Sequence, residues 1–274
     1  RREGGPTLPR QEVALADVAL PDSFDARTQW SQCASVAEIR DQADCGSCYV
    51  FATVEAATDR MCIATNAQNT DRLSTEDPLS CCSSCGDGCN GGYPSAVFEY
   101  LSSTGGVTGG AYGDYSWCQS YELKPCAHHT TKGPYAPCPS GIASTPSCEK
   151  KCDSQSTYKK SFDEDKHVFA SAYSVSSSET AIRQDIMENG PVAAAMDVYA
   201  DFESYTGGVY KHTTGSYLGG HAIRIIGWGV DNGTPYWTVA NSWNKYWGEN
   251  GTFRIVRGSD ECGIESQISA IKYK

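Results

Sequence analysis

Long apolar runs are absent from this 274-residue sequence, and no stretch approaches the about 20 consecutive apolar residues that a membrane-spanning helix needs. The apolar stretch 13–20 is short and interrupted by Asp17, so it predicts neither a span nor a signal-peptide core. Basic residues are few: 22 Lys and Arg accompany 33 Asp and Glu, and the formal net charge is −11. This charge argues against a nucleic-acid-binding protein, which needs a basic face. It suits an acidic compartment, where carboxylate protonation relieves self-repulsion.

Histidine and methionine are also scarce, with five and three residues, whereas cysteine is abundant, with 14. Cysteine use this dense indicates an oxidising environment on the secretory route and a loop-rich body held by disulfides. Two N-x-T sequons, at Asn232 and Asn250, are compatible with glycosylation on that route, although Pro235 follows the first and disfavours its use.

Helical patterns concentrate in the first half of the chain. Helices are predicted over 48–66, over 94–102 and from about 178 to 189. The segment from 105 to about 165 has many Gly, Pro and Cys residues and no sustained period, which predicts a cross-linked loop region. Strands are predicted over 192–198, 221–229, 235–242 and 251–257, with a hairpin turn at 231–233. The simplest architecture is a helical first half packed on a barrel-like β second half.

Cys48 is the candidate nucleophile. Residues 42–49 match the C-G-[SA]-C-[WY] signature of a catalytic cysteine, and Ser47 is a plausible N-cap for the helix that Cys48 begins. A thiol at a helix N-terminus has its thiolate stabilised by free N–H groups and the helix dipole. The alternative is that Cys48 is one more half-cystine, as most cysteines in such a chain are.

His221 and Asn241 are the candidate partners of that thiol. Gly219 and Gly220 precede His221 and leave room for a substrate backbone, and Asn241-Ser242-Trp243 ends the next predicted strand. An Asn there can hold the imidazole so that its other nitrogen faces the sulfur, with Trp243 shielding the hydrogen bond from water. A buried, hydrogen-bonded core histidine is the alternative. Both residues lie farther downstream than the signature's about 130–150 residues, and the loop region supplies a candidate insertion.

Five segments occur in the order that papain-family cysteine proteases carry them, and the resemblance extends over nearly the whole chain from Leu20. They are residues 42–48, 89–94, 219–229, 235–244 and 262–266. Within that family, residues 20–30, 39–48 and 81–94 and the insertion around 126–129 resemble the cathepsin B-like members. The resemblance implies an α+β, papain-like two-lobed fold with the active-site cleft between a helical left lobe and a β-barrel-like right lobe.

The resemblance also implies a division of the chain. Residues 1–19 would be the C-terminal remnant of a propeptide, and residues 20–104 a mainly helical left lobe carrying Cys48. Residues 105–262 would be a mainly β right lobe carrying His221 and Asn241, with an occluding-loop insertion at about 118–152. Residues 263–274 would return to the left lobe. The cysteine pairs that it implies are 33–62, 45–89, 81–148, 82–85, 118–152 and 126–138, with Cys48 and Cys262 free. A zinc knuckle at Cys81, Cys82, Cys85 and Cys89 conflicts with the oxidising route.

The substrate-binding residues follow from the same resemblance. Gln42 and the backbone N–H of Cys48 would form an oxyanion hole, although Gln42 taken alone could be an ordinary loop residue. Gly91 and Gly92 would bind an extended substrate backbone, and a tight turn is equally compatible with them. Gly46, Gly220 and Trp243 would line the same cleft. No metal or other cofactor is implied.

Two histidines in the insertion have a separate implied role. Adjacent surface histidines are usually solvated, and a metal site is a second possibility. In cathepsin B-like enzymes the second histidine receives the substrate's C-terminal carboxylate, so His129 would support removal of C-terminal dipeptides. His128 would anchor the loop on Asp41 through a pH-dependent ion pair.

Three positions depart from the family pattern. The family's second loop anchor is an acidic residue where this chain has Tyr246, and the arginine partner is also missing. We therefore expect a more open loop and relatively more endopeptidase activity. Gln267 replaces a glutamate at the floor of the S2 pocket, so hydrophobic P2 residues should be favoured over Arg. Tyr49 replaces the usual Trp after the nucleophile.

Three functions are weighed: an active cysteine endopeptidase and peptidyl-dipeptidase, a catalytically silent relative that binds peptides, and a disulfide-rich structural module. The intact set Gln42, Cys48, His221 and Asn241 favours the first. The expected partners are peptide and protein substrates, the chain's own propeptide as inhibitor and cystatin-like inhibitors, and the expected state is a monomer. The expected location is a lysosome or acidic endocytic vesicle, or outside the cell.

Overall fold

The computed structural model describes residues 5–11 and 19–274. Most of the predicted propeptide remnant, residues 1–4 and 12–18, lies outside the described residues. The helices are α1 Ala26–Gln29, α2 Cys48–Ala64, α3 Glu76–Cys81, α4 Pro94–Ser103, α5 Glu179–Asn189 and α6 Ala200–Glu203. The strands are β1 Arg10–Gln11, β2 Phe24–Asp25, β3 Ser171–Val175, β4 Val192–Tyr199, β5 Val209–Tyr210, β6 Tyr217–Asp231, β7 Thr234–Ala240, β8 Thr252–Val256 and β9 Ile268–Lys272.

Helix α2 is the central helix of the molecule. It is buried over almost its whole length, from Tyr49 to Cys62, which explains why apolar residues are not confined to one face. It ends where Asn66 and Ala67 take positive φ angles of 50° and 61°. Ser47 stands at the N-cap position, but its side chain does not cap the helix. Its Oγ lies 3.0 Å from the Tyr121 hydroxyl instead, because Ser47 is fully buried beside that phenol.

The described strands form one sheet of nine strands, with the order β1-β3-β9-β4-β6-β7-β8-β5 and with β2 beside β6. Strands β6 and β7 are joined at Asn232 and Gly233, whose φ angles of 48° and 81° fit the predicted hairpin turn. The expected barrel-like closure is not observed. The path ends in the two-residue strands β1 and β5, which pair with β3 and β8 and not with each other.

The described residues form two large apolar cores. One is built on α2 and α4 and includes Phe51, Met61 and Phe98. The other lies on the strands and includes Trp228 and Trp237. All five of these side chains are almost completely buried, as the hydrophobic effect favours for large apolar groups.

A buried ion pair joins α2 to β6. Arg224 on β6 donates to the carboxylate of Asp59 on α2, and neither side chain is exposed. The same guanidinium donates to the carbonyl oxygens of Ser35 and Glu38, at 3.3 and 2.7 Å. Removing one partner of a buried pair leaves an uncompensated charge, which costs about 3–5 kcal/mol. The register of helix against strand is therefore held electrostatically as well as by packing.

Residues 104–170 contain no helix or extended strand in the described structure, as their composition predicts. Disulfides hold this region and its surroundings together. The six bonds join Cys33–Cys62, Cys45–Cys89, Cys81–Cys148, Cys82–Cys85, Cys118–Cys152 and Cys126–Cys138, the pairs that the resemblance implies.

Two buried carboxyl groups favour the protonated form in the folded state. Burial raises the pKa of Glu55 to about 7, although Arg224 lies close by and opposes the shift. Burial also raises the pKa of Glu76 to about 8, against a hydrogen bond from the Glu122 N–H. A folded state that binds more protons than the unfolded chain loses stability as pH rises. For these two groups the loss runs from about pH 4.5 to about pH 8.

We predict that the melting temperature falls as pH is raised from about 5 to about 8, and that Glu76→Gln removes part of this fall. The neutral amide keeps an acceptor for the Glu122 N–H without a buried charge. A recovery of several degrees at the alkaline end is expected, since about 1 kcal/mol corresponds to about 2–4 °C in a domain of roughly this size. Thermal melts across the pH range, with the exposed Glu99→Gln as control, check it. An equal fall in Glu76→Gln and in the parent would contradict it.

Candidate active site

Cys48 is presented by a tightly constrained loop. It is the first residue of α2, and the Cys45–Cys89 disulfide fixes the chain just before it. The N–H of Gly46 donates to the Cys89 carbonyl at 2.7 Å. A Cβ on Gly46 would lie 2.5 Å from that oxygen, so only glycine fits there. Cys48 is partly buried and belongs to no disulfide, which removes the half-cystine alternative.

His221 and Asn241 meet beside the thiol. His221 lies on β6, and Asn241 directly follows β7. The Nε2–H of His221 donates to Asn241 Oδ1 at 2.8 Å, which leaves Nδ1 for the sulfur of Cys48, with which the imidazole also hydrogen-bonds. Both side chains are buried, and the Trp243 ring lies 5.1 Å from the imidazole, centroid to centroid. The structure thus brings together the trio that the sequence singles out.

The surroundings favour a thiolate–imidazolium pair. Burial alone would raise the pKa of Cys48, but the charge of His221 and hydrogen bonds from His221, Ala222 and Tyr49 outweigh it and lower the pKa. The Ala222 N–H lies 3.5 Å from the sulfur. Burial alone would lower the pKa of His221, but the Cys48 thiolate and the hydrogen bond to Asn241 raise it. Both shifts favour the form with the proton on the ring, in which the sulfur is the stronger nucleophile.

Gln42, six residues before Cys48, has its side-chain amide held in place. Its Nε2 donates to the Cys45 carbonyl at 2.8 Å, and its Oε1 accepts a hydrogen bond from Ser242 Oγ at 2.7 Å. The Gln42 N–H donates to the Ser242 carbonyl at 2.9 Å, so the residue is held both by its own loop and by a segment 200 positions away. The Cys48 N–H opens α2 and has no acceptor within that helix. Gln42 Nε2 carries a second proton besides the one given to Cys45, so this amide and the Cys48 N–H are candidate donors to an oxyanion.

A cleft of about 580 Å³ opens at Cys48 and His221. Its lining includes the predicted substrate-binding residues Gly46, Gly91, Gly92, Gly220 and Gln267. It also includes Ala195, Met196, Asp197, Tyr217 and Leu218, which the sequence reasoning did not identify. Their positions follow from the pairing of β4 with β6, in which Met196 is the register partner of His221.

The two glycines of the 91–92 pair play different parts. The N–H and C=O of Gly91 are used in a turn, bonded to the Gly88 carbonyl and the Asp87 N–H. Gly92 faces Gly86 across an isolated antiparallel bridge whose hydrogen bonds come from its neighbours. Its own N–H and C=O have no partner among the described residues and lie in the cleft wall. Gly92 can therefore pair with an extended peptide, whereas Gly91 fits the tight-turn alternative.

Asp41 anchors the histidine-bearing loop. Its Oδ1 accepts from His128 Nε2 at 2.7 Å and from the Ala43 N–H at 2.8 Å. Its Oδ2 accepts from Asn244 Nδ2 at 2.9 Å and from the Cys126 N–H at 3.3 Å. One carboxylate thus connects the nucleophile loop, the disulfide-bonded insertion and the segment after β7. Asn244 was not identified from the sequence, because its role depends on contacts with residues far away in the chain.

His128 and His129 both lie against Trp243. The His128 ring is parallel to the indole with centroids 5.9 Å apart, and the His129 ring lies 5.1 Å from it. His129 is 41% exposed and has a positive φ of 50°. Cys126, His128 and Cys138 come within 4.8 Å of one another among the described residues. The two sulfurs form a disulfide, so this group offers no thiolate to a metal ion.

An aromatic contact occupies the place of the second loop anchor. The rings of Tyr135 and Tyr246 meet edge to face with centroids 5.7 Å apart, and Gly133 lies against the Tyr246 ring. Such a pair contributes about 0.5–1.5 kcal/mol beyond its buried area. This range overlaps the about 0–1 kcal/mol of an exposed ion pair, so the contact offsets part of the missing anchor. The absence of an acid at position 246 is visible in the sequence, whereas the contact of Tyr246 with Tyr135 is not.

Comparisons with known proteins agree on one family. The family model described as papain family cysteine protease matches residues 20–272. The chain is similar to cathepsin B-like cysteine proteinase 4 of Caenorhabditis elegans, at 51% identity over 266 residues, 96% of this chain and 79% of that protein. It is similar to the cathepsin B-like cysteine proteinase of Schistosoma japonicum, at 48% identity over 270 residues, 98% of this chain and 77% of that protein.

Among solved structures, procathepsin B S9 from Trypanosoma congolense has a similar fold. The TM-score is 0.84 at 32% sequence identity, and the match covers 97% of this chain and 83% of that chain. Procathepsin L 3 of Tenebrio molitor is more distant, with a TM-score of 0.70 at 25% identity over 98% of this chain and 75% of that one.

We predict that iodoacetamide alkylates Cys48 at mildly acidic pH while Cys262 stays unmodified. Cys262 is a matched internal control, because burial and then the nearby Glu261 charge raise the pKa of its thiol to about 12. His221→Ala should slow the labelling of Cys48 by about tenfold or more, since each pKa unit changes the thiolate fraction about tenfold. Mass spectrometry of the labelled peptides measures both rates. Equal labelling of the two thiols would contradict the ion pair.

Proposed function

This chain belongs to the papain family of cysteine proteases, in which it is cathepsin B-like, and we propose that it cleaves peptide bonds through a thioester on Cys48 and releases dipeptides from C-termini. One observation carries the proposal: Cys48 lies outside every disulfide and hydrogen-bonds to an imidazole that Asn241 orients. A catalytically silent relative or a structural module would not need this arrangement, in which the pKa values of both groups are shifted towards the charged forms.

The geometry supports acyl transfer in two halves. The Cys48 thiolate attacks the scissile carbonyl carbon, and the oxyanion that forms is stabilised by Gln42 and the Cys48 N–H, each donor typically worth about 3–4 kcal/mol. The His221 imidazolium gives its proton to the leaving amine as the C–N bond breaks. Neutral His221 then takes a proton from water, the hydroxide adds to the thioester, and the acid leaves as Cys48 is regenerated.

Dipeptide release rests on His129. Trp243 contacts both the His221 and His129 rings, so the second imidazole lies a short distance beyond the reactive centre. A protonated, partly exposed imidazole at that position is a suitable partner for a free C-terminal carboxylate. We infer that the insertion limits the site on the side of His129, away from the cleft lined by Gly92 and Gln267.

The balance between dipeptide release and internal cleavage depends on how firmly the loop is held. The His128–Asp41 ion pair requires a protonated imidazole, and the Tyr135–Tyr246 contact carries no charge. We propose that the loop opens more readily than in enzymes with two ion pairs, which gives more endopeptidase activity. The aromatic contact limits this effect and makes part of the anchoring independent of pH.

Residues 5–11 support the proposal of a propeptide remnant. Leu8 is buried in the core around α2, and Arg10 and Gln11 pair with Ser174 and Val175. Gly5 to Leu8 border a space that shares Tyr93 and Gln267 with the active-site cleft. A segment that leaves the cleft at this point fits the end of an inhibitory propeptide, which the solved procathepsins also have.

Further proposals concern the setting of the enzyme. Six disulfides and a charge of −11 support an acidic vesicle, a lysosome or the extracellular space. Asn232 and Asn250 are both exposed and can carry glycans. We propose that the enzyme acts as a monomer and that cystatin-like inhibitors bind its open cleft. No helix in the described part of the chain is long and apolar enough to cross a membrane.

We predict that a peptide with a free C-terminus loses its C-terminal dipeptide, and that amidation of that terminus strongly slows the release. His129→Gln should lower kcat/KM for dipeptide release by about 10–100-fold, since a hydrogen bond to a charged group is worth about 1.5–3 kcal/mol. Cleavage of a blocked internal substrate should change little. Assays of both substrates from about pH 4 to about pH 7 measure these kcat/KM values. They also give the ratio of dipeptide release to internal cleavage at each pH.

Cys48→Ala is the control, and it should abolish both activities together with labelling by an epoxide inhibitor of cysteine proteases. Persistent hydrolysis in that variant would overturn the assignment of the nucleophile. Near-exclusive dipeptide release at every pH would refute the more open loop.

We predict that substrates with Phe at P2 are cleaved faster than substrates with Arg at P2. Gln267 is exposed at the end of the cleft and offers a neutral amide, which cannot pair with a guanidinium. Gln267→Glu should improve the Arg substrate by up to about fivefold, the range of an exposed ion pair, and leave the Phe substrate nearly unchanged. The kcat/KM values of two matched peptides measure it. Preference for Arg at every pH in the parent enzyme would show that Gln267 does not set P2 selectivity.

A further inference from the structure

Glu203 lies opposite the histidine that the proposed dipeptide release depends on. It is the last residue of α6, and its Oε2 is 3.5 Å from Nδ1 of His129. The two side chains are 35% and 41% exposed, so solvent and small ligands reach both. Nothing in the sequence pointed to this residue, because it lies 74 positions after His129 in the chain.

The backbone of Glu203 is fixed close to the reactive centre. Its carbonyl accepts a hydrogen bond from Trp247 Nε1 at 3.2 Å. The neighbouring Phe202 is fully buried and its ring lies 5.7 Å from that of Trp243, which also contacts His221 and His129. The carboxylate of Glu203 is therefore held on the same side of Trp243 as His129.

Few charges act on His129. Burial lowers its pKa, the Glu203 carboxylate opposes that change, and the neighbouring His128 adds to it, with a lower pKa as the result. His128 is itself occupied by Asp41, so Glu203 is the acidic group that faces the His129 ring. A substrate carboxylate must approach the same imidazole, and Glu203 both occupies that partner and repels the incoming charge.

We propose that Glu203 is a specificity-determining residue that competes with the substrate's C-terminal carboxylate for His129. The proposal rests on the proposed role of His129 in dipeptide release. Glu203 contacts no reacting atom, so it acts through the histidine that it faces. It reduces dipeptide release relative to internal cleavage while the loop holds His129 at the site.

Glu203→Gln tests the proposal, because the amide removes the competing charge and keeps the size of the side chain. We expect kcat/KM for dipeptide release to rise about two- to fivefold, the factor that an exposed ion pair supplies. A blocked internal substrate should show no change. Glu99→Gln, an exposed carboxylate on α4, is the control for the change in net charge.

The pH profile separates this role from a purely structural one. Removing Glu203 takes away a charge that raises the pKa of His129. The gain should therefore be largest at acidic pH and shrink or reverse at higher pH, where the variant loses the imidazolium first. A gain of equal size across the whole range from about pH 4 to about pH 7 would overturn the proposal.

A double-mutant cycle with His129→Gln completes the test. If Glu203 acts through His129, Glu203→Gln should have no effect once His129 is replaced; an undiminished gain in that background would overturn the proposal.

Different results would refute the proposed function and the role of Glu203. A parent enzyme without dipeptide release refutes the proposed function, whereas release that depends on His129 but is unaffected by Glu203→Gln refutes only the role of Glu203.

Discussion

The buried ion pair between Arg224 and Asp59 is the constraint on which the rest of the site depends. Asp59 belongs to the helix that begins with Cys48, and Arg224 lies three residues after His221 on β6. Helix and strand come from distant parts of the chain, and a slip between them would separate the sulfur from the imidazole. Burial makes Glu55, one turn before Asp59, more readily protonated than an ordinary carboxyl group, so at acidic pH Glu55 adds little negative charge beside Arg224. Folding and catalytic alignment are thus linked through the same guanidinium.

Trp243 contacts both the reactive pair and the proposed site for the substrate's C-terminal carboxylate. Its indole contacts the rings of His221, His128 and His129, which belong to the reactive pair, the loop anchor and the proposed carboxylate site. Each of the three imidazoles is in turn oriented by a different polar side chain, namely Asn241, Asp41 and Glu203. Histidine therefore serves three purposes at this site. The three purposes differ according to which side chain places an oxygen beside the ring.

Local signals in the sequence were sufficient for the helices at Cys48 and Pro94, the hairpin at Asn232 and the core of the site. Local signals did not predict the features that depend on contacts between residues far apart in the sequence. Ser47 lies at the expected N-cap position, but its side chain hydrogen-bonds to the Tyr121 hydroxyl and does not cap the helix. Asn244, Tyr135 and Glu203 are unremarkable in the sequence, because their partners are supplied by segments that only the fold brings together. The cysteine pairs could be anticipated only from the resemblance, since spacing does not determine connectivity.

The pairing of Arg10 and Gln11 with β3 has a consequence for the exposed edge of the sheet. These two residues cover part of the outer side of β3, whose inner side is bonded to β9. Proteolysis that removed them would uncover the backbone amides and carbonyls of Ser174 and Val175, leaving a free strand margin. Such margins invite pairing with foreign strands unless they are short. Only two of the five residues of β3 would be newly uncovered, so the added edge is short and offers little backbone for a foreign strand to pair with.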